Sequence, residues 1–334
     1  MHKINKFLEK DKIFKDLFLD FKKKIKNIKK KSFLIAVSGG PDSLALVIFS
    51  FAYQYVYKKT NFKYAIVDHS IRKNSAIEAQ NLKKKLSKLK INLKIIKNKR
   101  KIKSNIQSNA REIRYNLLSS YCKKNKIPYI VTAHHSDDQI ETFLIRLSRG
   151  SGLQGLSSMS EISKLKNDIK IFRPFLSFQK NQLVRITKVI FKNFVKDPSN
   201  HNKKFLRTKI RRLVKTLNNM GIESQQILRS IRNISSSNNF INNYFNKIFK
   251  QIVVSKKSKY IIDLKRFNEQ SDEIQIKTFN KIFNKINKKY YPSRAKKVIS
   301  MYKALKNKDF AKTTLANCLI EKKGLKICVK REQF

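Results

Sequence analysis

The chain has 334 residues, of which 41% are hydrophobic, so it is long enough for about two globular domains with their own cores. No run of about 18 apolar residues occurs, which argues against a membrane span. The first residues also lack the apolar core of a signal peptide, so we expect a cytoplasmic protein.

The charge balance is strongly basic, with 77 Lys and Arg residues against 22 Asp and Glu residues and a formal net charge of +55 at pH 7. A field of this sign would attract a polyanion such as nucleic acid and make its binding depend on salt. The alternative is compositional, because a genome rich in A and T inflates Lys, Asn and Ile throughout a protein. The charge alone therefore identifies no partner.

The three cysteines, Cys122, Cys318 and Cys328, lie far apart in sequence and form no CxxC pair. This spacing argues against a zinc ribbon, an iron–sulfur site and the disulfide framework of a secreted protein. We expect all three to be reduced and structural.

The predicted elements begin with a basic helix over residues 11–31, in which Phe14, Leu17, Phe18 and Phe21 recur at helical spacing. Four later apolar runs predict strands at residues 33–37, 64–67, 93–96 and 129–133. Because helical segments separate these runs, we expect an α/β fold with a doubly wound parallel sheet. Such a sheet binds its ligand at the carboxyl ends of the strands.

The strand pattern stops after Arg212, and the sequence becomes mostly helical. We place a domain boundary near residue 215, which separates a first domain over residues 1–215 from a smaller, mainly helical region over residues 216–334. Short apolar runs within residues 313–331 predict a terminal hairpin.

A glycine turn connects the first predicted strand to the next helix. It consists of Ser38, Gly39, Gly40, Pro41, Asp42 and Ser43. Adjacent glycines let the backbone approach an anion, serine hydroxyls can donate to phosphate oxygens, and a helix that begins near Pro41 directs its N–H groups to the same place. The spacing is not that of a Walker A loop, whose lysine is absent, so we expect Asp42 to bridge to phosphate through Mg²⁺.

An acidic cluster follows the fourth predicted strand, where Asp137, Asp138 and Glu141 lie within about one helical turn. Three carboxylates this close repel one another unless a cation joins them, which suits Mg²⁺ or a bound primary amine; Asp137 alone would also suit a helix N-cap. His134 and His135 precede the cluster and are candidates for proton transfer, although a lone histidine is more often structural.

Glycine is rare in this chain, and Gly150, Gly152 and Gly155 follow the acidic cluster directly. Such a loop must turn tightly or let a ligand approach. Five of the seven glycines therefore lie in two segments, which we predict at the same edge of the sheet.

The glycine turn resembles the SGGxDS pyrophosphate loop of the N-type ATP pyrophosphatases, or PP-loop enzymes, which cleave ATP between its α and β phosphates to adenylate an acceptor. Further motifs are similar to those of one group within these enzymes, the tRNA(Ile)-lysidine synthetase family. They lie at residues 67–72, 110–115, 132–156, 173–176 and 197–200, and at Arg207. The resemblance covers about residues 30–212.

The resemblance implies a ligase that uses ATP and Mg²⁺. Such an enzyme adenylates the C2 oxygen of the wobble cytidine, position 34, in an isoleucine tRNA with a CAU anticodon, and the amine of L-lysine then displaces AMP. The products are lysidine, AMP and pyrophosphate, and decoding changes from AUG to AUA. The resemblance also implies a homodimer, residues 1–215 as the ATP-binding catalytic domain and residues 216–334 as a tRNA-binding region.

The resemblance assigns the nucleotide and metal contacts as follows. The turn from Ser38 to Ser43 would hold the β and γ phosphates, while Val67 and His69 would line the adenine pocket. Asp42 would bind metal or act as a catalytic carboxylate.

The remaining site residues are assigned to catalysis and substrate binding. Asp137 and Glu141 would hold either Mg²⁺ or the α-amino group of lysine, and His134 would accept a proton from the amine or donate one to phosphate. Contacts to tRNA or lysine are assigned to Arg111, Arg114, Asp138 and Arg149. Ordinary ion pairs on a helix face are the alternative for the three arginines.

The chain departs from the family pattern at Lys196 and Asn202, where acidic residues are usual, and at Thr208, where Asn is expected. These changes concern the lysine or tRNA contacts of one loop and leave the ATP site untouched. The C-terminal region resembles the family only at residues 314–318 and 329–332 and is shorter than in the longer members.

Three other functions compete with this interpretation. A PP-loop enzyme of tRNA 2-thiolation commonly needs paired or catalytic cysteines, which this spacing does not offer. An NAD or GMP synthetase with a glutaminase would need a further domain with a nucleophilic cysteine. A non-catalytic RNA-binding protein would use the basic surface but would not need three carboxylates beside a phosphate loop.

Overall fold

The computed structural model describes residues 11–69, 74–98, 106–165, 168–194, 205–256, 259–287, 295–307 and 310–332. The chain divides into two units, residues 1–235 and 236–334. A six-stranded sheet lies in the first unit and a five-stranded sheet in the second. The boundary predicted near residue 215 falls inside a helix of the first unit.

The first unit alternates strands and helices along most of its length. Its strands are β1 (Ser32–Val37), β2 (Asn61–Asp68), β3 (Leu93–Lys97), β4 (Tyr129–Val131), β5 (Ile162–Lys164) and β6 (Lys170–Phe172). Its helices are α1 (Lys12–Lys26), α2 (Pro41–Val56), α3 (Ser75–Ser87), α4 (Ile106–Lys124), α5 (Ser136–Leu147), α6 (Leu153–Leu156), α7 (Lys180–Phe191) and α8 (Leu206–Asn219). The four predicted strands are confirmed as β1 to β4, and the opening helix as α1. No described helix combines the length and apolar character needed to cross a membrane.

The strand order β3-β2-β1-β4-β6-β5 places the ligand edge of the sheet between β1 and β4. These two strands are parallel, with Ile35 beside Val131, so the segments that follow them emerge side by side at the carboxyl edge. The strand order reverses at this point, which opens a crevice where α/β proteins bind ligands. Only β5 is antiparallel to its neighbour among the described strands of this sheet.

Aromatic packing holds α2, the helix that begins at the glycine turn. Phe49 is fully buried, and its ring centroid lies 4.8 Å from that of Phe14 and 5.6 Å from that of Phe21, both on α1. The same ring lies 5.1 Å from Phe175 and 6.0 Å from Phe178, which follow β6. Since burying an aromatic ring contributes several kcal/mol, this cluster fixes the position of the glycine turn.

The second unit packs helices against an antiparallel sheet. Its strands are β7 (Val253–Lys256), β8 (Lys259–Asp263), β9 (Lys312–Leu315), β10 (Cys318–Lys323) and β11 (Lys326–Arg331), in the order β7-β8-β11-β10-β9. Its helices are α10 (Leu264–Asn268), α11 (Asp272–Asn287) and α12 (Ala295–Leu305), and α9 (Ser224–Ile252) precedes β7. The predicted helical character of this region is confirmed, and so is the predicted terminal hairpin, which β10 and β11 form. The strands β7 and β8 were not predicted, because both are short and β7 buries only its first residue.

The aromatic cluster predicts a large effect of Phe49→Ala on stability. Loss of the buried ring should lower the free energy of unfolding of the first unit by about 3–5 kcal/mol, measured by urea unfolding. Tyr55→Ala is the matched control, because this side chain on the same helix is 51% exposed, and its effect should stay within about 0.5 kcal/mol. Equal losses in the two variants would contradict the packing.

Candidate active site

The glycine turn after β1 is closed by the side chain of Ser43. Its hydroxyl donates to the carbonyl of Gly40 at 2.9 Å, accepts from the backbone N–H of Ser38 at 3.1 Å, and lies 3.1 Å from the Ser38 hydroxyl. Gly39 adopts a φ of 82°, which other residues rarely tolerate. Because no side chain caps the start of α2 at Pro41, the first N–H groups of the helix suit an anion.

His135 lies at the centre of the predicted acidic cluster, where α5 begins after β4. Its Nε2 atom is 3.6 Å from Oδ2 of Asp42 and 3.6 Å from Oδ2 of Asp138, and its Nδ1 atom is 3.7 Å from Oδ1 of Asp137. The backbone N–H of His135 also donates to Oδ2 of Asp138 at 3.1 Å. The imidazole is only 4% exposed, and it joins the glycine turn to the acidic cluster.

The charge of this imidazole follows from its surroundings. Burial disfavours a charged His135, but Asp42, Asp138 and Asp137 together outweigh burial and raise its pKa above the ordinary value of 6.5. Burial likewise opposes the charge on Asp138, yet His135 and other nearby cations keep the pKa of Asp138 below its ordinary value. The sequence predicts that these close carboxylates need a cation between them. Protonation of His135 supplies part of that positive charge from within the chain.

His134, unlike His135, favours its neutral form. Its Nδ1 atom lies 2.8 Å from the hydroxyl of Thr132. Burial and nearby arginines hold the pKa of His134 well below its ordinary value, although Asp138 acts in the other direction. Near neutral pH, His134 is therefore a neutral base.

Glu141 lies one turn after Asp137 on α5, as predicted, but it has its own partner. Its side chain is 5% exposed and forms an ion pair with Arg211 of α8, with Nε 2.5 Å from Oε1. Burial lowers the pKa of Arg211, but the interactions with Glu141 outweigh burial and raise it. Sequence reasoning missed Arg211, and the only local signal for it is its i, i+4 spacing from Arg207.

Asp42 retains one oxygen for a ligand. While Oδ2 faces His135, Oδ1 is buried and has no hydrogen-bond partner among the described residues. An unpaired buried carboxylate oxygen is costly, so this atom marks a place for a cation or a donor. The described residues contain no group of three His, Cys, Asp or Glu side chains that could hold a metal alone. Asp42 therefore fits Mg²⁺ of the kind that one or two carboxylates, phosphate oxygens and water hold together.

The residues predicted to line the adenine pocket lie at the end of β2. Val67 and Asp68 end the strand, and Nε2 of the following His69 lies 3.3 Å from Nε of Arg114, which donates to it. Burial, together with Arg114, lowers the pKa of His69 to about 4, although Asp68 acts in the other direction. His69 is therefore neutral at physiological pH. The rest of this motif, residues 70–72, lies outside the described residues.

The other predicted substrate residues lie on α4 and after α5. Arg111 and Arg114 are both on α4, and the Arg111 guanidinium lies 5.1 Å from the ring centroid of Tyr115. Arg149 is exposed and precedes the glycine loop, where Gly150 has a φ of 64°. At Gly155 a Cβ atom would lie 2.6 Å from the Ser151 side chain, so the close turn requires glycine there.

Of the three departures from the family pattern, only Thr208 lies within the described residues. Thr208 is buried on α8, whereas Lys196, Asn202 and the motif at residues 197–200 lie outside the described residues. The structure therefore brings together Asp42, Asp137, Asp138 and both adjacent histidines. It places Glu141 in a separate ion pair.

Known proteins resemble this chain over the region that carries the site. A model of the PP-loop domain matches residues 15–217. The tRNA(Ile)-lysidine synthase of Wolbachia pipientis is 35% identical over 218 residues, which cover 65% of this chain and 50% of that protein. The tRNA(Ile)-lysidine synthase of Rickettsia bellii is 29% identical over 302 residues, which cover 89% of this chain and 69% of that protein. The chain thus spans about half to two thirds of the length of these relatives.

Solved structures add a likeness of fold. The U34-tRNA thiolase NcsA from Methanococcus maripaludis aligns with a TM-score of 0.55 at 17% identity, over 68% of this chain and 81% of that chain. The predicted resemblance to lysidine synthetases is confirmed by the relatives in sequence, and the predicted PP-loop fold by the domain match and this alignment. The matched residues include the glycine turn and the acidic cluster, and the chain belongs to the PP-loop family of ATP-using enzymes.

Proposed function

We propose that this chain joins L-lysine to C2 of the wobble cytidine, position 34, of an isoleucine tRNA with a CAU anticodon. ATP is split into AMP and pyrophosphate through an adenylated cytidine, and the lysidine product changes decoding from AUG to AUA. The observation that carries the proposal is the contact between the phosphate turn and a buried cluster of histidine and carboxylates. It is supported by the similarity to tRNA(Ile)-lysidine synthases, and by the PP-loop domain match, which spans both motifs.

In the adenylation step, the turn from Ser38 to Ser43 holds the β and γ phosphates through the N–H groups at the start of α2. This leaves the α phosphate open to attack by the cytidine oxygen. His135 fixes Asp42 through Oδ2, so that Oδ1 is kept for a cation. Mg²⁺, which Asp42 would hold through Oδ1, would offset the negative charge that develops on the phosphates.

In the ligation step, the amine of lysine must lose a proton before it attacks C2. His134 suits the second proton, which leaves the nitrogen after it has bonded to C2 and become acidic, because the lowered pKa keeps the imidazole neutral until then. Asp137 is the carboxylate best placed for the α-amino group of lysine, since its side chain is 49% exposed. Glu141 is engaged by Arg211, so in our proposal it orders α5 and α8 rather than binding lysine directly.

The cysteines disfavour 2-thiolation as the alternative. All three lie within the described residues, where none of them forms a disulfide, and burial raises the pKa of Cys122 to about 12, which makes a poor nucleophile. Cys318 and Cys328 lie on strands of the second unit. A homodimer remains a prediction from the family resemblance.

Lysine incorporation tests the proposed function. Incubated with ATP, radiolabelled lysine and unmodified isoleucine tRNA with a CAU anticodon, the protein should transfer label to tRNA and release pyrophosphate. Methionine tRNA with the same anticodon is the control and should remain unlabelled. Label in neither tRNA would overturn the proposal, and equal label in both would overturn the specificity.

Asp42→Asn tests the role of the buried carboxylate. The change removes the charge that faces His135 and the cation site, so pyrophosphate release should fall by about 100-fold or more, while tRNA binding changes less than about twofold. Asp16→Asn is the matched control, since Asp16 is exposed on α1, and it should release pyrophosphate at the wild-type rate. Wild-type release by Asp42→Asn would refute the assigned role.

A further inference from the structure

The helix α7 carries a buried hydroxyl that the proposed reaction steps do not use. Thr187 is fully buried, and its Oγ1 donates to the backbone carbonyl of Pro41 at 2.7 Å. Pro41 belongs to the glycine turn and is the first residue of α2, so the bond joins two segments that lie 146 positions apart in the chain. Both segments are in the first unit.

The acceptor of this hydroxyl lies outside its own helix, unlike the acceptors of two other buried hydroxyls. Ser50 of α2 donates to the carbonyl of Leu46 at 2.7 Å. Thr278 of α11 donates to the carbonyl of Ile274 at 2.8 Å. In both cases the acceptor is four residues back in the same helix, which is the common arrangement for a helical serine or threonine. The Thr187 hydroxyl instead ties α7 to the start of another helix.

The peptide group between Pro41 and Asp42 carries this contact to the anion site. Its carbonyl and its N–H lie in one rigid plane and point in opposite directions, so a donor that holds the carbonyl also sets the direction of the Asp42 N–H. That N–H is one of the groups at the start of α2 that have no acceptor inside the helix. A carbonyl that accepts a hydrogen bond also polarises its peptide group, which makes the N–H a stronger donor.

The helix that presents this hydroxyl is held from two sides. Leu183 and Ile186 of α7 are buried in the same core cluster as Leu44 of α2. Just before α7, the carbonyl of Phe178 accepts from the backbone N–H of Ser136, the first residue of α5, at 2.9 Å. The hydroxyl on α7 therefore has little freedom to follow a displaced glycine turn.

We propose that Thr187 is a positioning residue for the ATP phosphates. It orients the peptide group between Pro41 and Asp42, so that the Asp42 N–H meets an oxygen of the β or γ phosphate. Thr187 acts through this peptide group and not by contact with ATP. The role rests on the proposed function only in that the glycine turn holds these phosphates, and it does not depend on the identity of the acceptor that is adenylated.

Isothermal titration calorimetry of Thr187→Val in the presence of Mg²⁺ tests this role, because valine has nearly the shape of threonine but cannot donate. The affinities for ATP and for inorganic pyrophosphate should fall by the same factor, about five- to tenfold. The affinity for AMP, which has no β or γ phosphate, should change less than about twofold. Thr187→Ser keeps the hydroxyl and should restore most of the affinity for pyrophosphate.

Ser50→Ala is the matched control, since it removes a fully buried hydroxyl from α2 at a distance from the glycine turn. Its affinities for all three ligands should stay within about twofold of the wild-type values. A Thr187→Val protein that binds pyrophosphate as tightly as the wild type would overturn the role, and so would equal losses for ATP, pyrophosphate and AMP. Thr187→Ala gives the same comparison should the valine variant fold poorly.

Lysine incorporation by the wild type separates failure of this role from failure of the proposed function. If the wild type labels the isoleucine tRNA while Thr187→Val binds pyrophosphate normally, only the positioning role is overturned. If the wild type binds pyrophosphate but labels no tRNA, the proposed function is overturned, while calorimetry still decides the role of Thr187.

Discussion

The buried imidazole of His135 holds the site of this protein together. Asp42, Asp137 and Asp138 come from two segments at the sheet edge, and their mutual repulsion would push these segments apart without a cation between them. His135 lies within 3.6–3.7 Å of all three carboxylates and is almost fully buried, so its charge is poorly screened by water. The glycine turn and α5 therefore keep their positions before any ligand binds.

The fold supplies the geometry for this interaction in two ways. The parallel pairing of β1 and β4 brings the following segments side by side, and the aromatic cluster around Phe49 fixes the helix that carries Asp42. A second ion pair, between Glu141 and Arg211, ties α5 to α8. On α5, His135 thus offsets the charge of Asp138 and Arg211 that of Glu141, which leaves one buried oxygen of Asp42 and the exposed Asp137 for external cations.

Local patterns in the sequence predicted the four central strands, the glycine turn and the acidic cluster, because strand runs, glycine pairs and helical spacing act over a few residues. They did not predict that Arg211 would neutralise Glu141, since these residues are 70 positions apart and meet only in the folded chain. The central place of His135 was missed for a related reason. Spacing showed it beside the carboxylates, but only the approach of Asp42 from the start of α2 encloses it.

The charge of His135 is the most direct test of this account, and ¹⁵N NMR titration of the histidine ring nitrogens measures it. The signal lost in His135→Gln identifies the residue. We predict that His135 titrates above 6.5 and that His134 stays neutral far below that pH, because carboxylates surround the first and burial dominates the second. A His135 that titrates at or below 6.5 in the wild type would contradict the central role of its charge.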